Sequence, residues 1–558
     1  MRKGRLFLHQ LTLGKARREL LPGTMRFIEK QSKSVVKMCK SNGWKLAAGL
    51  LMLVSGAKAQ LAPPQLLEHP FPQANADFGG HLSVSDRWLV VGARRNDLVV
   101  PPGGPGGVPQ RLTEAGAVYI YERVNDEWKF SIKLQPPNLQ ANDQFGLDVA
   151  VDGNLLVVGS WVAPSPGNSN AGNVRIYEHT GPSWILRQTI VNPESSTRSF
   201  FGRGVAVSNG RVAVGASGGT GAVFVYDPTP GANLWAQTAR LEPMASDGTI
   251  ITRNAGSFGE EVALDGSVLI VGASTWPRPN QAAAGAAFIY ERLESRDGVS
   301  WRPSGILPGV VEARDRMGFA VDVSGDMAVV SKPRVGADIG EVDVFQRTPG
   351  SAVDWQVVAT LQASDRENFD FFGHSVAIRG DRVLVGAHNA ESGPNLQNSG
   401  TGYLFEKNAQ GTFVETEILR PTTEGPSNFL GVAAGLTDTL AVLGANGRNG
   451  SGAFRAGAAY SYTLEAAPAV ADEITNITVN LATREVRLTW TADPNQHWAF
   501  FRSFDLENWT RFTPDSFAGS ATARTTTLGN GVSNDGETKG FFELRAVPNN
   551  SLILMDKQ

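Results

Sequence analysis

The chain has 558 residues, 41% of them hydrophobic and 19% charged, so it is long enough for more than one domain and too apolar for a disordered protein. The first 59 residues carry 13 Lys or Arg and 2 Asp or Glu, whereas the rest carries 38 basic and 52 acidic residues, a net charge of −14. An acidic chain argues against general binding to nucleic acid or to anionic membranes.

Residues 1–59 predict a secretory signal region. The segment 45–59, KLAAGLLMLVSGAKA, has a lysine, a short apolar run and a small-x-small end, which is typical of a signal peptide cleaved between Ala59 and Gln60. Its apolar run is too short to span a bilayer, and a buried helix is the alternative. A start at Met38 would give a signal of ordinary length, so residues 1–37 need not be translated. We therefore expect an extracellular protein, secreted or held at the cell surface, with no transmembrane segment.

An internal repeat determines the predicted fold of the region that follows. A Phe-Gly-like pair recurs seven times, and its first residue is here called the Phe slot: Phe78-Gly79, Phe145-Gly146, Phe201-Gly202, Phe258-Gly259, Met317-Gly318, Phe372-Gly373 and Leu430-Gly431. Fourteen residues after each Phe slot stands a second mark: Gly92, Gly159, Gly215, Gly272, Ser331, Gly386 and Gly444. A third mark is a glycine five residues before Tyr or Phe: Gly116, Gly172, Gly221, Gly285, Gly340, Gly400 and Gly457. A fourth mark, in six copies, is an aromatic residue six positions before Leu or Ile: Trp128, Trp184, Trp235, Trp301, Trp355 and Phe413.

Each repeat has the pattern of four short strands. In the fourth copy the runs EVALDG, VLIVGA, AAFIYER and WRPSGIL alternate apolar residues and are rich in β-branched ones. Four strands in each of seven units predict an all-β chain with a seven-bladed β-propeller over residues 60–465, because radial repetition leaves only short, protected sheet edges. An open all-β array is the rival arrangement. The seventh unit lacks a fourth strand, and residues 61–67 have its spacing, so we predict that this N-terminal strand pairs beside residues 457–462 and closes the ring.

A Phe-Gly pair followed by Val-Gly-Ala resembles the FG-GAP repeats of integrin α-subunit propellers and of many secreted bacterial proteins, over roughly residues 61–465. The resemblance implies that ligands bind on the face that carries the connections between second and third strands. Many members bind calcium through a D-x-D-x-D-G loop between the first and second strands, which needs several closely spaced oxygen ligands. Here the corresponding segments, such as VDGNLL and IRGDRV, are tight hairpin turns without that pattern in any copy. We therefore expect no bound metal and no other cofactor.

Beyond a linker-like stretch at residues 465–473 the repeat stops. Residues 466–548 contain five strand-like runs, EITNITVNLA, EVRLTWTA, HWAFFRSFD, TARTTTLG and KGFFELRAV. The stretches VRLTW, SFDLENWT and FFELRAV resemble the small fibronectin type III-like sandwiches appended to secreted bacterial proteins. The chain is therefore predicted to continue from the propeller into a small β-sandwich, with a carbohydrate-binding sandwich as the alternative, and to end in a tail at 549–558. The resemblance implies a spacer or an adhesion unit.

The connections between second and third strands differ in length, from 6 to 24 residues between their marks, and variable loops on a rigid scaffold are where recognition usually resides. Basic, aromatic and amide residues in these loops are the candidate ligand-face residues: Arg94, Arg95, Asn96, Trp161, Trp276, Arg278, Arg334, His388 and Asn389. The two tryptophans could stack on a sugar ring or anchor a protein partner. Packing against a neighbouring blade is the alternative for both.

No sequence motif indicates catalysis. The chain lacks an H-E-x-x-H motif and a phosphate-binding loop, and its only cysteine, Cys39, precedes the predicted cleavage site. The glycine-rich segment 215–221 leads into a strand and not into a helix, so it is not a nucleophile elbow. The leading hypothesis is a secreted or cell-surface, non-catalytic binding or adhesion protein that presents its loops to a protein or glycan partner. The alternative is an extracellular polysaccharide hydrolase or lyase with its site near the propeller axis, which converging carboxylates, or Tyr, His and Arg in one pocket, would favour. A purely structural role would leave no pocket beyond the axial channel.

Overall fold

The computed structural model describes residues 62–102, 108–163, 171–194, 198–219, 221–251, 256–295, 298–348, 355–391, 396–421, 425–450 and 452–464, and the backbone of five strands between 473 and 547. The predicted signal region with Ala59 and Gln60, residue Leu61, most of the linker and the tail lie outside the described residues. Within the described part, strands dominate, and the one helix is a short turn, α1 (Val335–Asp338).

Seven four-stranded antiparallel sheets confirm the prediction of a seven-bladed β-propeller. The N-terminal strand is followed by the first blade and by a hairpin inserted within it: β1 (Gln65–Glu68), β2 (Leu82–Val84), β3 (Trp88–Ala93), β4 (Leu98–Val100), β5 (Gln110–Leu112), β6 (Ala117–Val124) and β7 (Glu127–Leu134). The second and third blades follow: β8 (Val149–Asp152), β9 (Leu155–Ser160), β10 (Asn173–His179), β11 (Trp184–Val191), β12 (Phe201–Ser208), β13 (Arg211–Ala216), β14 (Ala222–Pro228) and β15 (Trp235–Leu241).

The remaining blades repeat this arrangement. The fourth and fifth consist of β16 (Glu261–Asp265), β17 (Val268–Ala273), β18 (Ala286–Ser295), β19 (Gly298–Ile306), β20 (Val321–Ser324), β21 (Met327–Lys332), β22 (Glu341–Arg347) and β23 (Trp355–Leu361). The sixth and seventh consist of β24 (Phe372–Arg379), β25 (Arg382–Ala387), β26 (Thr401–Lys407), β27 (Phe413–Leu419), β28 (Leu430–Leu436), β29 (Leu440–Ala445) and β30 (Ala458–Thr463).

Strand β1 completes the seventh blade. It pairs antiparallel with β30, and Leu67 lies opposite Ala459 in this register. The sheet order is β1-β30-β29-β28, so the outer strand comes from the N-terminal segment and the three inner strands from the end of the repeat region. The first strands of neighbouring blades contact one another around the axis, including β28 with β2. Pairing between the two ends of the repeat region therefore gives the seventh blade its fourth strand.

The repeated glycines mark places where neighbouring blades touch through their backbones. A Cβ on Gly215 would lie 2.0 Å from the carbonyl oxygen of Gly259, and a Cβ on Gly172 would lie 2.0 Å from that of Phe201. The glycine that follows each Phe slot has a positive φ, 86° at Gly202, a conformation that glycine adopts without steric cost. The glycine marks thus correspond to contacts between blades, and this is why their spacing predicts the fold.

The hydrophobic core lies between the blades. All seven Phe-slot side chains are fully buried. Between the second and third blades, Val157 and Ile176 pack with Phe201 and Phe224, whose rings are 5.6 Å apart in an edge-to-face arrangement. Burial of one large apolar side chain contributes about 1.5–3 kcal/mol. Each blade is therefore stabilised by its neighbours, and the ring supports the loops at both of its ends.

The tight hairpins between first and second strands form one end of the propeller, here called the hairpin face. At four junctions a turn side chain accepts a hydrogen bond from a backbone N–H of the next blade, a contact here called the hairpin clasp. The donors and acceptors, 2.7–3.1 Å apart, are Asn209 with Asp152, Gly266 with Ser208, Gly325 with Asp265, and Gly380 with Ser324. A fifth junction carries the Arg379–Asp438 ion pair, at 3.0 Å. The turn aspartates therefore bind neighbouring blades together.

Five further strands follow the propeller: β31 (Glu473–Asn480), β32 (Glu485–Ser503), β33 (Thr510–Arg511), β34 (Phe517–Leu528) and β35 (Phe541–Val547). They form one antiparallel sheet in which β32 pairs with each of the other four. The runs EVRLTWTA and HWAFFRSFD, expected as two strands, both contribute to β32, and its pairing with β34 shifts register between Ala492 and His497, as at a bulge. The module is therefore rich in strands, but two of the expected strands form one, and the packing of the module as a sandwich stays a prediction.

An axial funnel as the candidate functional site

A cavity of about 580 Å³ lies on the propeller axis and has walls from all seven blades. Its lining residues stand where the first strands begin and the second strands end, so the cavity is at the end of the propeller opposite the hairpin face. This end also carries the connections between second and third strands. We call the cavity the axial funnel and this end the funnel face.

Two positions of each repeat supply half of the residues in the funnel wall. They are the second and third residues after the Phe slot, here called the axial positions: Gly80 and His81, Leu147 and Asp148, Arg203 and Gly204, Glu260 and Glu261, Phe319 and Ala320, His374 and Ser375, Val432 and Ala433. All of them except Gly204 line the funnel. The glycine marks are nearly the same in all seven copies, whereas the axial pair differs in every copy. One repeated backbone therefore places seven different pairs of residues around a single cavity.

Blades one to four give the funnel a charged half. His81 Nδ1 lies 3.8 Å from Asp148 Oδ1. Two backbone N–H groups donate to the Asp148 carboxylate, that of Val149 at 2.9 Å and that of Val205 at 2.7 Å. Because Val205 belongs to the third blade, Asp148 connects two blades and also holds a charge beside the His81 ring.

A carboxyl group with an altered pKa stands in the same half. Arg203 and Glu260 form an ion pair, and Ser274 Oγ donates to Glu260 at 2.6 Å. The neighbouring Glu261 side chain accepts no hydrogen bond from the described residues. Burial raises the pKa of Glu261 well above its usual value, and the carboxylates of Asp148 and Glu260 raise it further. A carboxyl group that keeps its proton more tightly can donate a hydrogen bond or a proton to a ligand.

Arg94 and Arg95 lie at the rim of the charged half. Arg94 forms an ion pair with Asp77, whose carboxylate also accepts a hydrogen bond from Asn446 Nδ2 at 2.6 Å. Arg95 has its carboxylate neighbour, Glu114, at the longer distance of 3.9 Å, and about half of its side chain is exposed. Arg95 is therefore the more accessible of the two to a ligand.

Trp161 is fixed in the wall between these groups. Its indole N–H donates to Gln144 Oε1 at 2.8 Å. The Phe200 ring packs against it, with centroids 5.0 Å apart, and the Arg203 guanidinium lies 5.1 Å from its centroid. Three contacts thus hold this tryptophan, and its side chain supports the position of Arg203.

Blades five to seven give the funnel an aromatic half. Stacked contacts run in the order Arg334, Phe371, His388, Phe429 and Arg455, with successive distances of 5.5, 5.5, 6.1 and 5.4 Å between ring centroids or guanidinium carbons. We call this row the aromatic ladder. It begins and ends with an arginine and connects loops of three blades. His388, Phe429 and Arg455 line the funnel, whereas Phe371 and Arg334 continue the row on the funnel face beyond the lining.

His374 packs against the middle of the ladder. Its ring centroid is 3.9 Å from that of His388 and 5.2 Å from that of Phe319. His374 Nδ1 lies 3.2 Å from the carbonyl oxygen of Val432, whereas His388 Nδ1 is buried without a hydrogen-bond partner among the described residues. Burial lowers the pKa of His374 to about 4, and burial together with the His374 ring lowers the pKa of His388 to about 2. Both imidazoles are therefore neutral at physiological pH.

The structure brings four of the predicted ligand-face residues into the funnel wall: Arg94, Arg95, Trp161 and His388. Arg334 joins them as one end of the aromatic ladder. Two others lie in the core, which corrects their expected placement on the ligand face. Asn96 is fully buried, and its side chain donates to the Tyr119 hydroxyl at 3.2 Å. Trp276 is 3% exposed, with its ring 5.1 Å from that of Phe288. These two side chains support the loops from within.

Arg278 and Asn389 are outside the funnel wall. The Arg278 guanidinium is directed toward its own loop, where it donates to the Gly285 carbonyl at 3.2 Å and lies 3.4 Å from Met317 Sδ. Burial lowers the pKa of Arg278. Asn389 is half-buried, and its backbone N–H donates to the Asp370 carbonyl at 3.4 Å.

Sequence reasoning missed the residues at the axial positions, above all Asp148, Glu260 and Glu261. As isolated histidines, His81 and His374 also gave no functional signal. The signal that would have found them is comparative: once seven repeats are in register, the positions beside the Phe-Gly pair whose residue type changes in every copy stand out from the marks that do not change. Those positions occupy equivalent places around one axis.

Among the described residues, no three or more His, Cys, Asp or Glu side chains are grouped so that they could hold a metal ion. In the same part of the chain, no helix has the length and apolar character that crossing a membrane requires.

Comparison with known proteins identifies the repeat. A family model described as FG-GAP repeat matches residues 128–177 and 355–405. Each matched stretch runs from the fourth strand of one blade to the third strand of the next, β7 to β10 and β23 to β26. No curated protein matches the chain.

Two solved structures resemble the chain at low identity. Saccharomyces cerevisiae Sqt1 is 11% identical, with a TM-score of 0.38, over 73% of this chain and 99% of that one. The Pseudomonas aeruginosa periplasmic gluconolactonase PpgL is 15% identical, with a TM-score of 0.37, over 62% of this chain and 86% of that one. At these identities and TM-scores, neither likeness bears on function.

Proposed function

Since the propeller of this chain belongs to the FG-GAP repeat family, whose fold suggests a binding or adhesion-type role, we propose that the protein captures a protein or glycan ligand in its axial funnel. In this proposal it is secreted or held at the cell surface, acts without turnover, and needs neither a metal nor another cofactor. Nucleic acid is not its ligand. The observation that carries the proposal is the variation of the axial positions around one cavity.

The pattern of variation supports a binding site because structural and recognition residues vary differently among repeats. Glycine marks keep their residue type where blades touch, as at Gly215 and Gly172. The axial positions instead bring carboxylates, an arginine, imidazoles and a phenylalanine to one cavity of about 580 Å³. A cavity of this size with a few convergent polar groups beside apolar walls has the usual character of a small-ligand or side-chain site.

The proposed location outside the cell agrees with two features of the chain. FG-GAP repeats are typical of extracellular proteins. The sequence also has a signal-like segment at residues 45–59, with a lysine, a short apolar run and a small-x-small end. We propose that the segment ending at Ala59 directs export, which N-terminal sequencing of the protein recovered from culture medium would test by its first residue.

Binding to arrays of glycans and of cell-surface proteins tests the proposed function. The full chain is compared with a funnel variant, Glu261→Ala combined with His81→Ala, and with a matched hairpin-face variant, Asp326→Ala combined with Asp381→Ala. The affinity of the funnel variant for the ligand is expected to fall at least about tenfold, since two side chains that can hydrogen-bond a ligand are removed from the funnel wall. The hairpin-face variant should bind as the unaltered chain does. Equal binding by both variants would remove the charged half of the funnel from the proposal.

A second candidate function is favoured by one specific arrangement, the His81–Asp148 pair in the same cavity as Glu261. An imidazole beside a carboxylate can take a proton, and a carboxyl group with a raised pKa can give one, so the two together can perform general acid–base catalysis. The corresponding enzyme would be an extracellular polysaccharide hydrolase or lyase. Release of new reducing or unsaturated chain ends from a polymer, abolished in Glu261→Gln while binding persists, would establish it in place of the non-catalytic role.

A further inference from the structure

The two arginines of the aromatic ladder are less neutralised than Arg94 and Arg203 of the charged half. No described carboxylate forms an ion pair with Arg455, which lies against two phenylalanine rings. Arg334 has one carboxylate nearby, that of Asp338, at 3.7 Å. By contrast, Arg94 and Arg203 each form a close ion pair within the charged half. The ladder therefore offers positive charge to a ligand, whereas Arg94 and Arg203 are paired within the charged half.

The aromatic rings hold these guanidinium groups in place and leave their N–H donors available to an anion. Arg455 lies 5.4 Å from the centroid of Phe429 and 5.6 Å from that of Phe454, and Arg334 lies 5.5 Å from that of Phe371. A guanidinium that lies on an aromatic ring keeps its N–H donors free at its edge. Such a planar donor set matches a carboxylate, which it can bind through two parallel hydrogen bonds.

Two phenylalanines next to the ladder face solvent. Phe454 is 62% exposed and lies at the Arg455 end. Phe369 is 61% exposed and lies at the Arg334 end, since its backbone N–H donates at 3.2 Å to the carbonyl of Ala337 in the same loop as Arg334. Each end of the ladder thus combines an arginine with an exposed aromatic ring. This pairing suits a flat ring that carries a carboxylate.

We propose that the aromatic half of the axial funnel binds an acidic polysaccharide, whose uronic acid carboxylates pair with Arg334 and Arg455 and whose sugar rings lie against Phe369 and Phe454. The inference rests on the proposed function and narrows its ligand from a protein or glycan to an anionic glycan. Three stacked rings separate the two arginines, so the two carboxylates belong to different sugar residues of one polymer. The ladder between them is neutral, because the His388 imidazole carries no charge at physiological pH.

An acidic peptide is the competing occupant, and the topology disfavours it. Extended peptides gain much of their affinity by adding a strand to a free sheet edge. In this propeller the free edges are the outer strands, such as β11 and β23, whereas every ladder residue lies in a connection outside the strands. A peptide at the ladder would lack backbone partners of that kind, and a glycan needs none.

The test measures affinity of the full chain by isothermal titration calorimetry and by affinity electrophoresis. The probes are alginate and polygalacturonate, with neutral cello-oligosaccharides, dextran sulfate and polyglutamate for comparison. We expect binding to the two uronate polymers that weakens as salt rises, and a loss of about tenfold in affinity for Arg455→Gln and for Arg334→Gln. Phe454→Ala should weaken binding to a smaller extent.

Matched controls separate the ladder from general surface effects. Arg87 also stacks on an aromatic ring, 4.7 Å from the centroid of Trp88, but stands at the hairpin face, so Arg87→Gln should bind as the unaltered chain does. Leu186 is 45% exposed on β11, and Leu186→Ala is the control for Phe454→Ala. The ladder variants change partly exposed side chains, so their thermal unfolding should match that of the controls.

Other results of these binding measurements would exclude either the anionic-glycan ligand alone or the proposed binding function as well. Unchanged affinity for alginate and polygalacturonate in both arginine variants overturns the inference. So does a preference for polyglutamate, which identifies an acidic peptide, or for dextran sulfate, which identifies a sulfated polymer. Binding only to a neutral glycan or to a surface protein overturns the inference and leaves the proposed function in place. Binding to no member of any array overturns both.

Discussion

The two faces of the propeller use the same repeat in opposite ways. On the hairpin face, equivalent positions perform one task in successive blades, since Asp152, Ser208 and Asp265 all accept a hydrogen bond from the next blade. On the funnel face, the pair of axial residues differs in every blade and lines one cavity, as Asp148 and Glu261 do. A repeat protein can therefore separate stability from recognition by position within the repeat, even where both are only a few residues apart in sequence.

The largest expected effect tests whether loops of the funnel face contain core residues. Trp276→Ala should lower the free energy of unfolding by about 3–5 kcal/mol, because it empties a buried site against Phe288. Trp161→Ala should cost only about 1 kcal/mol, since that ring is partly exposed and loses mainly its contacts with Phe200 and Gln144. Thermal and urea unfolding of the two variants provide the measurement. Equal losses of unfolding free energy in the two variants would contradict the assignment of Trp276 to the core and of Trp161 to the funnel wall.

The glycine marks give the next largest effect. Gly215→Ala should cost about 3 kcal/mol, because the new Cβ would meet the backbone of Gly259 at 2.0 Å and the two blades would have to separate. The fifth blade provides the matched comparison, since Ser331 already occupies the equivalent position there. Ser331→Ala should lose about 1 kcal/mol, for the hydrogen bond that Ala320 N–H donates to Ser331 Oγ at 2.9 Å. Urea unfolding measures both losses. An equal loss of unfolding free energy in Gly215→Ala and Ser331→Ala would contradict the conclusion that Gly215 is required by a backbone contact between blades.

The fold could be predicted from the sequence because its determinants are local and repeated. A mark such as Gly215 is required by a backbone contact, so it recurs at a fixed spacing and can be counted. The closing strand was also accessible, since Leu67 has the spacing of a fourth strand and lies opposite Ala459. The long strand β32 could not be predicted from the sequence. The runs EVRLTWTA and HWAFFRSFD suggested two strands with a turn between them, whereas the structure has one strand whose register against β34 changes.

The candidate site was only partly accessible from sequence. Loop length directed attention to the connections between strands, and this found Arg94, Arg95 and Trp161 but also Asn96 and Trp276, which point into the core. Which way a loop side chain points depends on packing with the neighbouring blade, and composition does not carry that information. Asp148 and Glu261 were missed because hydrogen bonds and burial from other blades give them their properties.

The carboxyl group of Asp322, on the first strand of the fifth blade, predicts a pH dependence of stability. Burial raises the pKa of Asp322 to about 7, against the opposing effect of hydrogen bonds from Ile378 and Val323 N–H groups. Because this pKa is higher in the folded chain than the ordinary value of 3.8, the folded state binds the proton more tightly, and the free energy of unfolding falls as pH rises from 3.8 to about 7. Asp322→Asn should flatten that fall.

Urea unfolding at about pH 5 and about pH 8 measures the change for Asp322→Asn and for Asp326→Asn, an exposed control in the same hairpin. Some slope should persist in Asp322→Asn, because burial also raises the pKa of Glu261 and of Asp370, the latter to about 6. A slope identical to that of the unaltered chain would mean that the Asp322 carboxyl group does not contribute.

The smallest expected losses of stability come from the hairpin clasp, and they test whether the hairpin face stabilises the propeller without taking part in ligand binding. Asp152→Ala removes one acceptor of the hairpin clasp and should cost about 1 kcal/mol, and Asp265→Ala should cost the same. The double variant should show the sum of the two losses, because the two junctions share no partner. Neither change should alter ligand binding.

Asp148→Ala is different, since Asp148 accepts hydrogen bonds from Val149 and Val205 and also stands in the funnel wall. It should lose both stability and binding, and a variant that lost stability alone would move Asp148 from the recognition residues to the structural ones.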